Sequence, residues 1–351
     1  MRNFIIALAL FLGFIFVVAK LSELQSIAET LQRGIWWFIG LAFIVETLWV
    51  LNCGASFRAI YHAMGIEEQL QTLSLIVLAA NFANVVAPSG GVSGLAIFMS
   101  EARRRNYSTA RAAVSGVLFL MFDYLGLISI LLVGLVILIR RNDLNLVVII
   151  ASAALIGLAM LFAFLLNLGM QSAVSLGNAL ATIARFVNRI VRPFIHREYL
   201  SELRAHEFAH DAAEGLIKMR SQPRSMLMPL FLAFTNKVSL LVILTLVFLA
   251  FKIPISIGTI IACFSIGSLF VIISPTPAGI GVVEGALTLA LTSMYISLED
   301  AAVITLSYRG ITFWIPLLCG MISLRVLERV GIKPGNNNNS NIEGVEIGRK
   351  S

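Results

Sequence analysis

The chain has 351 residues, 58% of them hydrophobic and 13% charged, with a formal net charge of +7. A soluble domain carries roughly twice that charged fraction, about 25%, so this composition excludes a water-soluble enzyme and makes lipid the solvent. Eight or so crossings of about 20 apolar residues would use up the length, because a hydrocarbon core is about 30 Å thick.

The segment Met1–Lys20 has Arg2 ahead of an apolar stretch from Phe4 to Ala19 but no small-x-small cleavage site after it. It reads as an uncleaved first helix. Full spans are predicted at 4–19, 36–55, 112–139, 144–166, 226–251 and 301–324, each apolar and bounded by polar residues. Two regions, 71–100 and 256–296, break the pattern. The first is interrupted by Pro88, Ser89, Gly90 and Gly91, and the second by Pro275, Pro277, Gly279 and Gly281. Proline removes a backbone donor, and irregular backbone at membrane depth survives only where protein or a wet cavity satisfies it. Both regions therefore read as broken helices or re-entrant hairpins.

Lys and Arg gather in short segments between the apolar runs, as they do in cytoplasmic loops. Anionic headgroups at the cytoplasmic face are the expected partner, and nucleic acid is not. Arg103, Arg104, Arg105 and Arg111 mark one such loop, and Arg185, Arg189, Arg192, Arg197, Arg204, Lys218, Arg220 and Arg224 another. Both lie inside only if the N-terminus is cytoplasmic, the first hairpin enters from the cytoplasm, the second from outside, and the C-terminus ends inside. Spans 36–55 and 112–139 with their hairpin then oppose spans 226–251 and 301–324 with theirs, which is an inverted repeat. A common offset of 189 supports it, carrying Pro88 to Pro277, Gly90 to Gly279 and Ala112 to Ala301. The predicted fold is an all-α, polytopic transmembrane bundle over 1–330, followed by a polar, disordered tail, 331–351.

Between the halves, 167–225 forms a cytoplasmic connector. Leu176, Leu180, Ile183, Val187, Ile190 and Phe194 share one helical face, and Arg185, Asn188, Arg189 and Arg192 the other. Two readings stay open, a helix lying in the inner interface and one packed on the transmembrane body. The connector also holds His206-Glu207-Phe208-Ala209-His210, which matches the zinc-binding H-E-x-x-H pattern. Its charged neighbours Arg204 and Asp211 favour a chance match on an exposed helix, so no metal or other cofactor is expected. Cys53, Cys263 and Cys319 share no close spacing and read as buried packing residues.

Ionisable residues inside spans are the stronger chemical signal, since a charge at the bilayer centre costs about 2.5–3.5 kcal/mol. Glu284, Arg309, Asp123 and Glu46 are such residues. Glu284 and Arg309 either face one cavity or form a buried pair that fixes packing. Asp123 is expected to pair with Tyr124 or a helix end, and Glu46 to lie near an interface. The breaks would either expose half-helix N-termini, whose free N–H groups suit a phosphate, or merely supply small residues that let helices approach closely.

The run Ser274-Pro275-Thr276-Pro277-Ala278-Gly279-Ile280-Gly281-Val282-Val283-Glu284-Gly285, with Tyr308-Arg309-Gly310-Ile311-Thr312-Phe313-Trp314, resembles the signature of the lysylphosphatidylglycerol synthase transmembrane-domain, or flippase-like, family. Asn81-Phe82-Ala83-Asn84 and Ala87-Pro88-Ser89-Gly90-Gly91 resemble its earlier motif. Ala278 stands where the family pattern has a second glycine.

The resemblance implies a protein of the cytoplasmic (inner) membrane, associated with moving phospholipid or isoprenoid-type lipids between leaflets. Only a short polar tail stands where fused relatives carry a soluble aminoacyltransferase, so lysylphosphatidylglycerol synthesis is not expected. The expected substrate-binding set is Glu284, Arg309, Tyr308, Asn84, Ser89 and Asp123. The alternatives are a membrane-embedded lipid-modifying enzyme, or an accessory subunit for a partner protein that synthesises lipid.

Overall fold

The computed structural model describes residues 34–86, 92–141, 146–191, 223–254, 256–274 and 276–330, with 209–210, 212–213 and 216–217 between them. The expected span 4–19 and the tail lie outside the described residues. The regular elements described are all helical. In chain order they are α1 (Trp36–Ala63), α2 (Leu70–Val86), α3 (Val92–Arg104), α4 (Thr109–Arg141), α5 (Leu146–Gln171) and α6 (Ala173–Val191). After a 3-10 turn, Pro223–Met226, come α7 (Leu227–Ala250), α8 (Ile257–Ile273), α9 (Val282–Ser293) and α10 (Leu298–Arg309). A π turn, Gly310–Trp314, joins α10 to α11 (Ile315–Val330).

Among the described residues, four stretches are long and apolar enough to cross a membrane: Trp36–Ala63, Thr109–Arg140, Arg224–Ala250 and Leu298–Arg329. Ile44, Leu48, Leu132, Val136, Phe231 and Leu318 are exposed on them. Water would not tolerate so much apolar surface, and lipid does. The helices flanking the breaks are shorter. At 1.5 Å per residue, α2 and α8 reach about 26 Å and α3 and α9 about 20 Å, less than the hydrocarbon thickness of about 30 Å.

The two halves correspond element by element. An offset of 187 carries α1 onto Pro223–Ala250 (223 − 36, 250 − 63) and α2 onto α8 (257 − 70, 273 − 86). Beyond the break the offset is 189, carrying α4 onto Leu298–Val330 (298 − 109, 330 − 141). The single offset expected from sequence thus holds only from the break onward, because the second break is longer, with eight residues between α8 and α9 against five between α2 and α3.

Packing follows the same correspondence. In each unit the first helix packs on the second, the second on the third, the third on the fourth, and the fourth on the first. Between units, α11 packs on α2 as α4 packs on α8, and α1 packs on α7. Ile35 N donates to the Ala250 carbonyl at 2.7 Å, and Asn52 Nδ2 donates to the Leu232 carbonyl at 3.1 Å. These contacts pair the start of α1 with the end of α7, so the two helices run antiparallel.

The cores are apolar clusters that draw on both units. In the first, Phe57 is stacked on both Phe98 and Phe119 with ring centroids 4.2 Å apart in each case. A second cluster joins Ile243, Val247, Phe248, Cys263, Leu287 and Leu291 of the second unit to Ala42, Leu127, Leu131 and Leu138 of the first. Cys53 and Cys263 are buried as expected, whereas Cys319 is exposed, because it faces outward on α11. In the connector, Leu176 packs with Ala209, Ala212 and Leu216 against Ile60 and Leu118 of the membrane helices, while Arg185 is exposed. This burial favours the packed reading of that segment.

Glycine allows the closest helix approach. A Cβ on Gly320 would strike the Leu78 carbonyl oxygen and stand 2.8 Å from Phe82 Cβ. Gly320→Ala should therefore destabilise the α2–α11 contact by about 1–3 kcal/mol, read as a lower melting temperature in detergent. Gly40→Ala, whose Cβ would meet nothing within 4 Å, should not lower it.

Candidate functional site

The second break is held by one arginine. Arg309 is the last residue of α10, and its Nε donates to Glu284 Oε1 at 2.8 Å. Its Nη2 donates to the Ala278 carbonyl at 3.2 Å, and its guanidinium lies 4.2 Å from the centroid of the Phe313 ring. The other Glu284 oxygen accepts from Gly281 N at 2.7 Å. Arg309 and Glu284 together join α10, α9 and the irregular backbone between α8 and α9. The break turns sharply because Gly279 and Gly281 adopt φ of +77° and +81°. Ala278, with φ +49°, is left-handed too. That conformation costs a residue with a Cβ about 1–2 kcal/mol, and it aims the Ala278 carbonyl at Arg309.

The first break is closed differently. Asn84 Oδ1 accepts from Gly94 N at 2.7 Å and from Ser93 Oγ at 3.2 Å, at the start of α3. Pro88, Ser89, Gly90 and Gly91, like Pro275, lie outside the described residues. At each half-helix N-terminus one backbone N–H is taken by a side chain, Gly94 N by Asn84 at α3 and Gly281 N by Glu284 at α9. The reason is that a buried N–H without a partner is costly, and the nearest side chain takes it. Arg309 and Lys237 are the cationic side chains beside these breaks.

Those side chains meet at a cavity of about 710 Å³. Trp49 of α1, Asn81 and Asn84 of α2, Asp123 and Tyr124 of α4, Lys237 of α7, Ser268 of α8, and Tyr308 and Arg309 of α10 line it. Ser274, Thr276 and Ala278 of the second break complete the polar wall, while Leu127, Leu240, Leu244, Phe264 and Leu287 supply apolar surface. Of the expected residues, Arg309, Tyr308, Asn84 and Asp123 line the cavity, and Glu284 holds Arg309.

Asp123 pairs neither with Tyr124 nor with a helix end. It pairs with Lys237, whose Nζ lies 2.6 Å from Oδ1 and 2.7 Å from Oδ2. Lys237 lies near the middle of α7, so a carboxylate facing it across the bundle is the partner that removes both charges from apolar surroundings. The sequence reading passed over Lys237, although a lone lysine inside the run Leu227–Ala250 is the signal that finds it. Next to it, Asn52 Nδ2 bonds Thr235 Oγ1 and Asn236 Oδ1 at 2.8 Å each, tying the units together. Glu46 is 4% exposed, because its place on α1 turns it into the bundle. His206 and Glu207 lie outside the described residues, and His210 is exposed.

The family model for the lysylphosphatidylglycerol synthase TM region matches residues 4–320. The chain belongs to that family. A UPF0104 membrane protein of Methanothermobacter thermautotrophicus is 23% identical over 286 residues, covering 81% of this chain and 82% of the relative. Membership of the lysylphosphatidylglycerol synthase TM family makes the chain a membrane-embedded member of a lipid-related group. The match takes in both breaks, the Asp123–Lys237 pair and the Glu284–Arg309 pair.

Removing one partner of a buried ion pair is expected to cost more than removing both. Lys237→Met should lower stability by about 3 kcal/mol, and Lys237→Met with Asp123→Asn should recover most of that loss. Thermal unfolding of the three proteins in detergent checks this cycle.

Proposed function

We propose that this chain is a lipid flippase of the cytoplasmic membrane, moving a phospholipid or isoprenoid-type lipid between leaflets without nucleotide hydrolysis. The observation that carries the reading is the cavity bearing Arg309 and Lys237, set among the middles of long apolar helices and walled by both units. Four ionised side chains in hydrocarbon are expensive, and a polar headgroup passing between leaflets needs such a polar stopping place. A volume of about 710 Å³ suits a headgroup-sized ligand, with the acyl or prenyl chains left outside in lipid.

In this reading the units are inverted repeats, and their short helix pairs are hairpins entering from opposite faces. The antiparallel α1–α7 crossing and the matched packing of the two units support it. With the N-terminus cytoplasmic, the Arg103–Arg105 loop lies inside. Arg104 Nη2 donates to the Leu327 carbonyl at 3.3 Å and the Glu328 carbonyl at 3.4 Å, which puts the end of α11 on that same side.

Chemically, Arg309 is fixed through Nε and one Nη2 bond, and its remaining N–H groups are available for phosphate oxygens. Lys237 offers a second, point-like cation. A phosphate would compete with Asp123 for Lys237, so ligand entry loosens a contact between α4 and α7. Rocking of the units about α1 and α7 would then expose the cavity to the other leaflet.

Vesicles reconstituted with the full chain and with fluorescent phosphatidylglycerol, phosphatidylethanolamine or a prenyl phosphate test this reading. At least one lipid should exchange between leaflets faster with protein than without. Arg309→Lys, which keeps the charge and loses the planar fork, should slow that exchange by about tenfold, equivalent to about 1.4 kcal/mol. Equal exchange with and without protein for all three lipids contradicts it.

A further inference from the structure

The carboxylates within the membrane helices are of two kinds. Asp123 and Glu284 each hold a cation, at 2.6 Å and 2.8 Å. Glu46 holds none: it is 4% exposed, and neither of its carboxyl oxygens has a hydrogen-bond partner among the described residues. The Trp49 indole N–H, three residues on and so on the same side of α1, is also buried without an acceptor. Trp49 lines the cavity, as does Tyr308, whose phenol lies within electrostatic range of the Glu46 carboxyl. Glu46 thus sits behind a stretch of cavity wall that holds two hydrogen-bond donors.

The groups around it confirm its isolation. On its own helix Cys53 is within electrostatic range. Among the elements packed on α1, α2 and the π turn carry no ionisable side chain. Helix α7 carries only Lys237, which is engaged by Asp123 of α4. Arg111, Arg140 and Arg141 stand at the ends of α4, Tyr124 of α4 lies within electrostatic range of Asp123, and Arg224 of the 3-10 turn is exposed. From α10, Arg309 is engaged by Glu284, and Tyr308 is within electrostatic range of Glu46. A carboxylate there would have no counter-charge among the described residues, which costs several kcal/mol in apolar surroundings, whereas the neutral acid costs far less.

We propose that Glu46 is a proton-binding site that couples lipid movement to proton movement across the membrane. In the state seen here the carboxyl carries its proton. When the units rock and water reaches it, the O–H bond breaks, its electron pair stays on the carboxylate and the proton passes to water. The carboxylate then takes the Trp49 N–H and the Tyr308 O–H as donors. Water on the other side returns a proton when the first arrangement is restored. The coupling rests on the transport reading above, and the protonation does not.

Two measurements on the full chain keep these apart. In lipid nanodiscs near neutral pH, infrared spectra should show the carbonyl stretch of a protonated carboxylic acid, lost in Glu46→Gln and retained in Glu46→Asp. An identical band in wild type and Glu46→Gln overturns the proton site. In vesicles of phosphatidylethanolamine and phosphatidylglycerol with fluorescent phosphatidylglycerol, an imposed pH gradient should change the wild-type exchange rate, and Glu46→Gln should lose that response. A Glu46→Gln response equal to wild type overturns the coupling. If the wild type moves no lipid at all, the transport reading fails, and the carbonyl band alone decides the site.

Discussion

Irregular backbone and ionised side chains have the same difficulty in hydrocarbon, which is that nothing in the solvent satisfies them. The Glu284–Arg309 pair meets both difficulties at one place. Arg309 neutralises Glu284, and each of them also takes up a backbone group of the break, the Ala278 carbonyl and the Gly281 amide. Without the pair the turn at Ala278–Gly281 would leave two main-chain groups unpaired at membrane depth. Without the turn, Arg309 would lose the carbonyl that fixes its second donor. The left-handed Ala278 is tolerated because its surroundings over-determine it.

The remaining architecture brings that pair to a shared space. Antiparallel packing of α1 on α7 sets the units side by side, and the glycine contacts let each unit's final helix approach the other unit's second helix closely. Gly320 receives Leu78, and Gly134 receives Ser265, a residue 187 positions after Leu78. The cavity is what remains between the short helix pairs once these contacts are made. The π turn directly after Arg309 belongs to the same design, since such turns re-aim side chains within a long helix and recur at functional sites. Lys237 and Asp123 then place a second neutralised pair on the facing wall.

Local signals made much of this legible in the sequence. Proline and glycine marked both breaks, and apolar length marked the long helices, although α1 runs to Ala63 rather than residue 55 because Arg58, Tyr61 and His62 extend it past the apolar run. The conjunction of Glu284 with Arg309 was readable from position alone. Non-local facts were not. Lys237 finds its carboxylate 114 residues away, and Asn52 bonds residues 180 to 184 positions on. No period or motif encodes those separations. The two-residue change of offset across the breaks was hidden because the matching letters used to find the repeat lay at or beyond the break. The isolation of Glu46 depends on which way α1 is rotated in the bundle, which an all-round apolar helix does not reveal.

The account depends on the two units having opposite orientation in the membrane, and Ser108 and Ser297 report this most directly. They cap α4 and α10, bonding Arg111 N at 3.3 Å and Asp300 N at 3.1 Å, and they stand 189 positions apart (297 − 108). In a background with Cys53, Cys263 and Cys319 replaced, single cysteines at the two positions can be labelled with a membrane-impermeant thiol reagent in sealed vesicles of known sidedness. Ser108→Cys should react only from the cytoplasmic side and Ser297→Cys only from the opposite side. Labelling of both from one side would contradict inverted units and the central site built between them.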